Sequence, residues 1–219
     1  MKELPRRLWH IFGGLSIPVA GLLLPPDIFF LDRFLLALVS LTIAILILDI
    51  VRLRSPRVNR HFMIIFRALL RGGEASTLNS STYFLIAASG VFALCDKSIA
   101  AIALAFVAVG DPVAGMVGEK WGKQRVSSEE QKISEAPRFP RNLRLRGVKG
   151  KSLEGSFACF GACLVVGVIL AAVAHVALWV VVIGAICATV IEFLSLPVND
   201  NLSMPLVAAV VMQLVVITV

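Results

Sequence analysis

Apolar residues in this chain fall into long runs, and the polar positions are gathered between those runs rather than alternating with them. Runs at roughly 8–26, 31–51, 80–95, 98–118, 153–174, 176–196 and 203–219 predict seven helices with the character of membrane spans. Several fall short of the roughly 20 residues that a straight span needs. The expected fold is therefore all-α: a polytopic membrane helical bundle of about seven transmembrane spans. Pro25–Pro26 ends the first run, and Pro205 suits the opening turn of the last. Asp111–Pro112 reads as the end of an apolar run, which puts the carboxylate where a helix meets the headgroups.

Between the second and third runs, SPRVNRHFMIIFRALLRG at 55–72 has a different period. Phe62, Ile65, Phe66, Leu69 and Leu70 gather on one helical face, with Arg60, Arg67 and Arg71 directed toward headgroups, so an interfacial amphipathic helix is expected. A more specific role for Arg67 or Arg71 is contact with a polyphosphate.

Composition agrees with a membrane protein. A mean hydropathy of +0.89 and 58% hydrophobic residues are too apolar for a soluble domain of 219 residues. One compact domain, 1–219, is expected. Of the 21 Lys and Arg, 19 precede the first run, follow the second, or lie between Lys120 and Lys151; Arg33 and Lys97 are the exceptions. With seven spans, the excess of basic residues places the N-terminus, the 52–79 segment, the basic loop at about 119–152 and the 197–202 turn in the cytoplasm. A cleaved leader is disfavoured because Leu-Pro-Pro-Asp, not a small-residue site, follows the first run. The net charge of +7 is explained by this topology and by anionic lipid, so no nucleic-acid partner is expected.

Candidate chemistry concentrates on that same side. GDPVAGMVGEKWGK, Gly110 to Lys123, is followed after the basic loop by KSLEGS, Lys151 to Ser156. Gly115, Gly118 and Gly122 leave backbone open to a ligand, while Lys120, Lys123, Lys149 and Lys151 neutralise phosphate oxygens. Asp111, Glu154, Glu192 and Asp200 all fall near one set of span ends, with Asp49 a weaker candidate. Ser152 suits the N-cap of the fifth span, where backbone N–H groups face an anion. Asn199, Asp200 and Asn201 suit either a metal or nucleotide site or an Asx-rich turn. Glu74 suits either metal binding or a capping role.

These two motifs resemble the membrane-bound CTP-dependent lipid kinases, the family of dolichol kinase, phytol kinase and fungal-type diacylglycerol kinase. The resemblance rests on Asp111, Ala114, Gly118, Gly122 and Lys123, then on Lys151, Ser152, Glu154, Gly155 and Ser156. RRLWH at Arg6 to His10 and PVNDNLSMP at Pro197 to Pro205 are similar to flanking segments of that family, so the resemblance runs the length of the chain. The spacing between the two motifs is longer than in compact family members, and the intervening segment reads as a basic flap tethered beside the site.

The resemblance implies transfer of the terminal phosphate of CTP to the hydroxyl of a lipid or isoprenoid alcohol, with Mg2+. A polyprenol ranks first as acceptor, then diacylglycerol and phytol. It implies Asp111 and Glu154 as catalytic residues, with Asp111, Glu154 and Asp200 as metal ligands. Arg6, Arg7, Gly118, Gly122, Lys123, Lys151, Ser152 and Gly155 become nucleotide or phosphate contacts, and His10, Glu74, Glu192, Asn199 and Asn201 further candidates. The alternatives are a cytidylyltransferase acting on a lipid phosphate, which releases pyrophosphate, and a transporter of small solutes or lipid. No Walker A loop or protein-kinase motif set occurs, and the acids lack the closely spaced Asp series of the CDP-alcohol transferases.

Cys95, Cys159, Cys163 and Cys187 lack metal or redox spacing and read as small buried residues. Trp9, Trp121 and Trp179 fit interfacial anchoring.

Overall fold

A computed structural model describes residues 4–24, 33–70, 72–122, 151–194 and 198–218. These form α1 (Leu4–Leu23), α2 (Arg33–Arg54), α3 (Pro56–Ile65), a 3-10 turn (Gly72–Ser76), α4 (Ser80–Leu94), α5 (Lys97–Trp121), α6 (Leu153–Ala174), α7 (Leu178–Leu194) and α8 (Asp200–Thr218). No strand occurs among the described residues. Each of the seven apolar runs is a helix. Four of them, α2, α5, α6 and α8, are long and apolar enough to cross a membrane, while α4 and α7 are shorter apolar helices. Helices of this length and composition make the chain an integral membrane protein.

Helix α5 is the axis of the bundle. From Ile99 to Ala108 its residues are almost completely buried, because the alanine-rich run AAIALAFVA lets neighbouring helices approach closely. It packs chiefly on α6 and α1, and also on α8. Phe106 is its one large ring in that stretch, and glycines on two other helices make room for it. A Cβ on Gly167 of α6 would lie 2.8 Å from the ring, and one on Gly184 of α7 would lie 3.0 Å from it. With Val181 2.6 Å from the first Cβ position and Met212 closer still to the second, the two glycines let α6 and α7 close around the Phe106 ring.

Helix α2 is peripheral and packs on α4 and α3. Its outer face, including Leu36, Leu41, Ile43 and Ile47, is exposed, as suits a helix with lipid on one side. A small polar clasp joins it to α4: Thr42 Oγ1 lies 2.8 Å from both the Leu38 carbonyl oxygen and Ser89 Oγ. Phe34 meets Phe92 edge to face at 5.0 Å.

Three expectations are corrected. The amphipathic helix expected over 55–72 stops at Ile65, and residues 66–69 form turns in which the Leu69 and Leu70 N–H groups donate to the Phe66 carbonyl oxygen. The last helix opens at Asp200, so Pro205 lies inside it. Asp111 and Pro112 do not end their helix. Helix α5 runs ten residues further, to Trp121, which places Asp111 about 15 Å inside it. Pro112 is buried there, and helix packing compensates for the backbone hydrogen bond it removes.

Candidate functional site

Helix order alone puts seven helix ends at one end of the bundle. The starts of α1, α4, α6 and α8 meet the ends of α2, α5 and α7, and side-chain contacts tie them together. Arg7 of α1 pairs with Glu119 of α5 at 2.5 Å. Thr82 of α4 donates to Asp49 of α2 at 2.5 Å. Asn201 of α8 donates from Nδ2 to the Ser80 carbonyl of α4 at 3.2 Å. The opposite end carries a different set, in which Gln213 Nε2 donates to Asp96 Oδ2 at 2.8 Å.

Lys151 is the centre of the first end. Its Nζ lies 3.0 Å from Asp200 Oδ2 and 3.2 Å from Glu192 Oε1, and it also donates to the Glu192 carbonyl oxygen. A basic group at that carbonyl caps α7, whose last carbonyls have no helical partner. Burial alone would lower the Lys151 pKa, but the Asp200 and Glu192 carboxylates outweigh it and hold it above the ordinary lysine value. Lys151 was expected to contact phosphate; it is instead engaged with two carboxylates. Glu192 is buried, and its second oxygen accepts from Ser156 Oγ at 3.2 Å. Asp111 of α5 acts electrostatically on Asp200 of α8.

The KSLEGS motif opens α6 as expected. Ser152 is the N-cap, in extended backbone conformation, and its Oγ accepts from the Gly155 N–H at 3.1 Å. Glu154 sits half-buried in the first turn. The signature glycines bring α5 and α6 together. A Cβ on Gly155 would lie 2.9 Å from the Ala114 carbonyl oxygen and 3.4 Å from Gly118 Cα, and one on Gly118 would lie 3.0 Å from Ser152 Oγ. Gly122 abuts Ser152 in the same way, at 2.7 Å. Gly115 faces open space, so it is free for close approach by another group.

The Asn-Asp-Asn turn starts α8. Asn199 Oδ1 accepts from the Asn201 N–H at 3.0 Å, an Asx turn, and its carbonyl oxygen accepts from Leu202 and Ser203 N–H. Glu74 caps α4: its Oε1 accepts from the Ser80 N–H at 3.1 Å and from Ser80 Oγ at 2.5 Å. His10 lies on α1, and its buried Nε2 has no hydrogen-bond partner among the described residues. Arg6 and Arg7 are half-buried near the start of α1. Lys123, Lys149 and most of the basic loop lie outside the described residues.

Sequence reasoning undervalued one pair. Arg52 was counted only as a basic residue after the second span, yet it is fully buried, and its Nε donates to Asp49 Oδ1 at 2.5 Å. The signal was present as an Asp and an Arg three residues apart at the end of an apolar helix.

Among the described residues no three His, Cys, Asp or Glu side chains form a group close enough to hold a metal ion. Mg2+ seldom needs one, since it takes one or two carboxylates and fills its shell with phosphate oxygens and water. Asp111 and Asp200 suit that mode, and the Lys151 ammonium already shows that the acids at this end accept a cation. A cavity of about 550 Å3 lies at the opposite end, lined by Asp96, Lys97, His175 and Trp179, among others. It is remote from the two motifs, so it is not the candidate site.

The chain is similar to a CTP-dependent diacylglycerol kinase. CTP-dependent diacylglycerol kinase 1 of Eremothecium gossypii is 31% identical over 129 residues, which are 59% of this chain and 33% of that protein. The chain thus spans about a third of the length of the curated relative it matches. That relative is of the kind the two motifs resemble, and the match does not point to dolichol or phytol kinase. No family model matches the chain, and no solved structure matches it.

Proposed function

We propose that this protein transfers the terminal phosphate of CTP to the hydroxyl of a membrane lipid alcohol. The observation that carries the reading is the convergence of Lys151, Glu192 and Asp200, from three separate segments, at the bundle end that also holds Arg7 and Ser152, with Asp111 of α5 within electrostatic range of Asp200. Phosphoryl transfer needs such a set: acids to orient a hydroxyl and hold a divalent ion, and cations to neutralise phosphate oxygens. The curated relative supports CTP as donor and moves diacylglycerol ahead of polyprenol and phytol as acceptor.

In this reading the acceptor's apolar tail lies among the helices and its hydroxyl reaches Asp111. The acceptor oxygen bonds to the terminal phosphorus as the bond to the bridging oxygen of CDP breaks. The hydroxyl proton passes to the Asp111 carboxylate and then to solvent, leaving CDP and a lipid phosphate. Arg6 and Arg7 neutralise the phosphates, with Lys123 the further cation that the motif supplies. Asp111 and Asp200 would hold Mg2+, with Glu154 the further acid that the resemblance offers and phosphate oxygens and water completing its shell, and the ion would neutralise charge on the transferred group. The positive-inside distribution supports a cytoplasmic position for this end, where CTP is found.

The test places label on either the α or the γ phosphorus of CTP and supplies diacylglycerol, phytol and polyprenols in detergent with Mg2+. Gamma label in a lipid product, with CDP released, is the expected result. Alpha label in the lipid, with pyrophosphate released, would establish cytidylyl transfer instead.

A further inference from the structure

We propose that Arg52, held by Asp49, is a positioning residue for this site: it fixes the start of α4 and, through the Ser80 carbonyl, the Asn201 side chain beside Asp200. Every side of the Arg52 guanidinium is engaged. Besides Asp49, Nη1 donates to Asn59 Oδ1 at 3.1 Å and to the Glu74 carbonyl oxygen at 3.0 Å, and Nη2 donates to the Thr77 carbonyl oxygen at 2.8 Å. The Phe62 ring covers it at 4.9 Å. Asp49 turns its other oxygen to α4, accepting from the Asn79 N–H at 2.8 Å and from Thr82 Oγ1. Asn59 reinforces the grip by donating to the Ala75 carbonyl oxygen at 2.7 Å.

One buried ion pair therefore holds α2, α3, the 72–79 connection and the first turn of α4 in a single register. The last link runs to the site, because Ser80, capped by Glu74, presents its carbonyl to Asn201 Nδ2.

A structural anchor alone does not need this chemistry. Well-packed apolar residues often replace a buried ion pair with no loss of stability, and a charge in a membrane helix is costly. Directed hydrogen bonds add selection of one arrangement among several that pack equally well. Lysine cannot reproduce it, since a single ammonium has no planar fork of donors. The importance of Asp200 rests on the phosphoryl-transfer reading; the linkage from Arg52 to Asn201 does not.

The experiment uses the full chain, purified in detergent, as wild type, Arg52→Lys, Asn201→Ala and the double variant. Readouts are kcat and KM with CTP and diacylglycerol, the thermal midpoint, and hydrogen exchange of the Asn201, Leu202 and Ser203 amides that bond to Asn199. Each single change should lower kcat about tenfold or more with KM for CTP within about twofold, and the double variant should be no more than about twofold below the weaker single, because the two act in series. Exchange of those amides should speed up about fivefold or more in Arg52→Lys. A variant with a lower midpoint but unchanged kcat and unchanged exchange would overturn the proposal, as would fully additive effects on kcat. If wild type transfers no phosphate, the kinase reading fails and exchange alone decides the proposal. If Arg52→Lys does not fold, Asn59→Ala, which removes one acceptor of the guanidinium, is judged by the same criteria.

Discussion

Replacing Lys151 with Met separates two roles for this residue. The change keeps most of the side-chain volume and removes the charge between Glu192 and Asp200. Breaking a fully buried ion pair costs about 3–5 kcal/mol, and an exposed pair is worth about 0–1. Lys151 and Asp200 are 21% and 27% exposed, so this pair falls between those limits. Ser156 still serves one oxygen of Glu192. A loss of about 2 kcal/mol follows, which for a chain of this size is a fall of about 4–8 °C in thermal midpoint.

The pH dependence has a defined sign. The folded-state pKa of Lys151 is raised above the ordinary lysine value, so its stabilisation is fully present below that value and is lost as pH rises through the folded pKa. The difference between wild type and Lys151→Met should therefore be constant from pH 6 to about 9 and shrink only above about pH 10. Differential scanning fluorimetry in detergent over that range is the assay. A midpoint unchanged within about 1 °C at neutral pH, accompanied by a large rise in KM for CTP, would refute the counter-ion role and restore a direct phosphate contact.

Other outcomes follow from the same contacts. Gly155→Ala inserts a methyl 2.9 Å from the Ala114 carbonyl, so it should push α6 off α5 and destabilise the fold by about 1–3 kcal/mol, measured as a lower thermal midpoint. Gly115→Ala meets nothing within 4 Å and, in a helix interior, should leave the midpoint no lower than wild type, so a loss of phosphate transfer there would mark the ligand face of α5. Glu119→Gln breaks a pair whose acid is largely exposed, and should cost at most about 0.5 kcal/mol by chemical denaturation.

The helices were legible in the sequence because apolar runs of this length have few alternatives, and the Ser152 cap because a hydroxyl residue precedes one of those runs. Glu192 and Asp200 lie near the span ends where the sequence places them, and Lys151 joins them. What the sequence hid is pairing across segments. Lys151 reads as a free cation beside glycines, and only packing of α7 against α8 puts two acids on it. Arg52 reads as one of many basic residues, and its burial depends on α3 and the 72–79 connection folding over it. Asp111 was misplaced because proline is the usual sign of a helix end, and helix α5 is buried deeply enough to run through one.

The account's central claim is that phosphate is transferred at the acid end of the bundle. The most direct measurement follows gamma label from CTP into a lipid alcohol with purified wild type, Asp111→Asn and Asp200→Asn side by side, each checked for its thermal midpoint. The account predicts labelled lipid phosphate from wild type, none detectable from Asp111→Asn at near-native stability, and a loss of at least about a hundredfold in Asp200→Asn, whose midpoint falls no further than that of Lys151→Met because both changes break the Lys151–Asp200 pair. Undiminished transfer by folded Asp111→Asn, or no transfer by wild type to any acceptor, would contradict it.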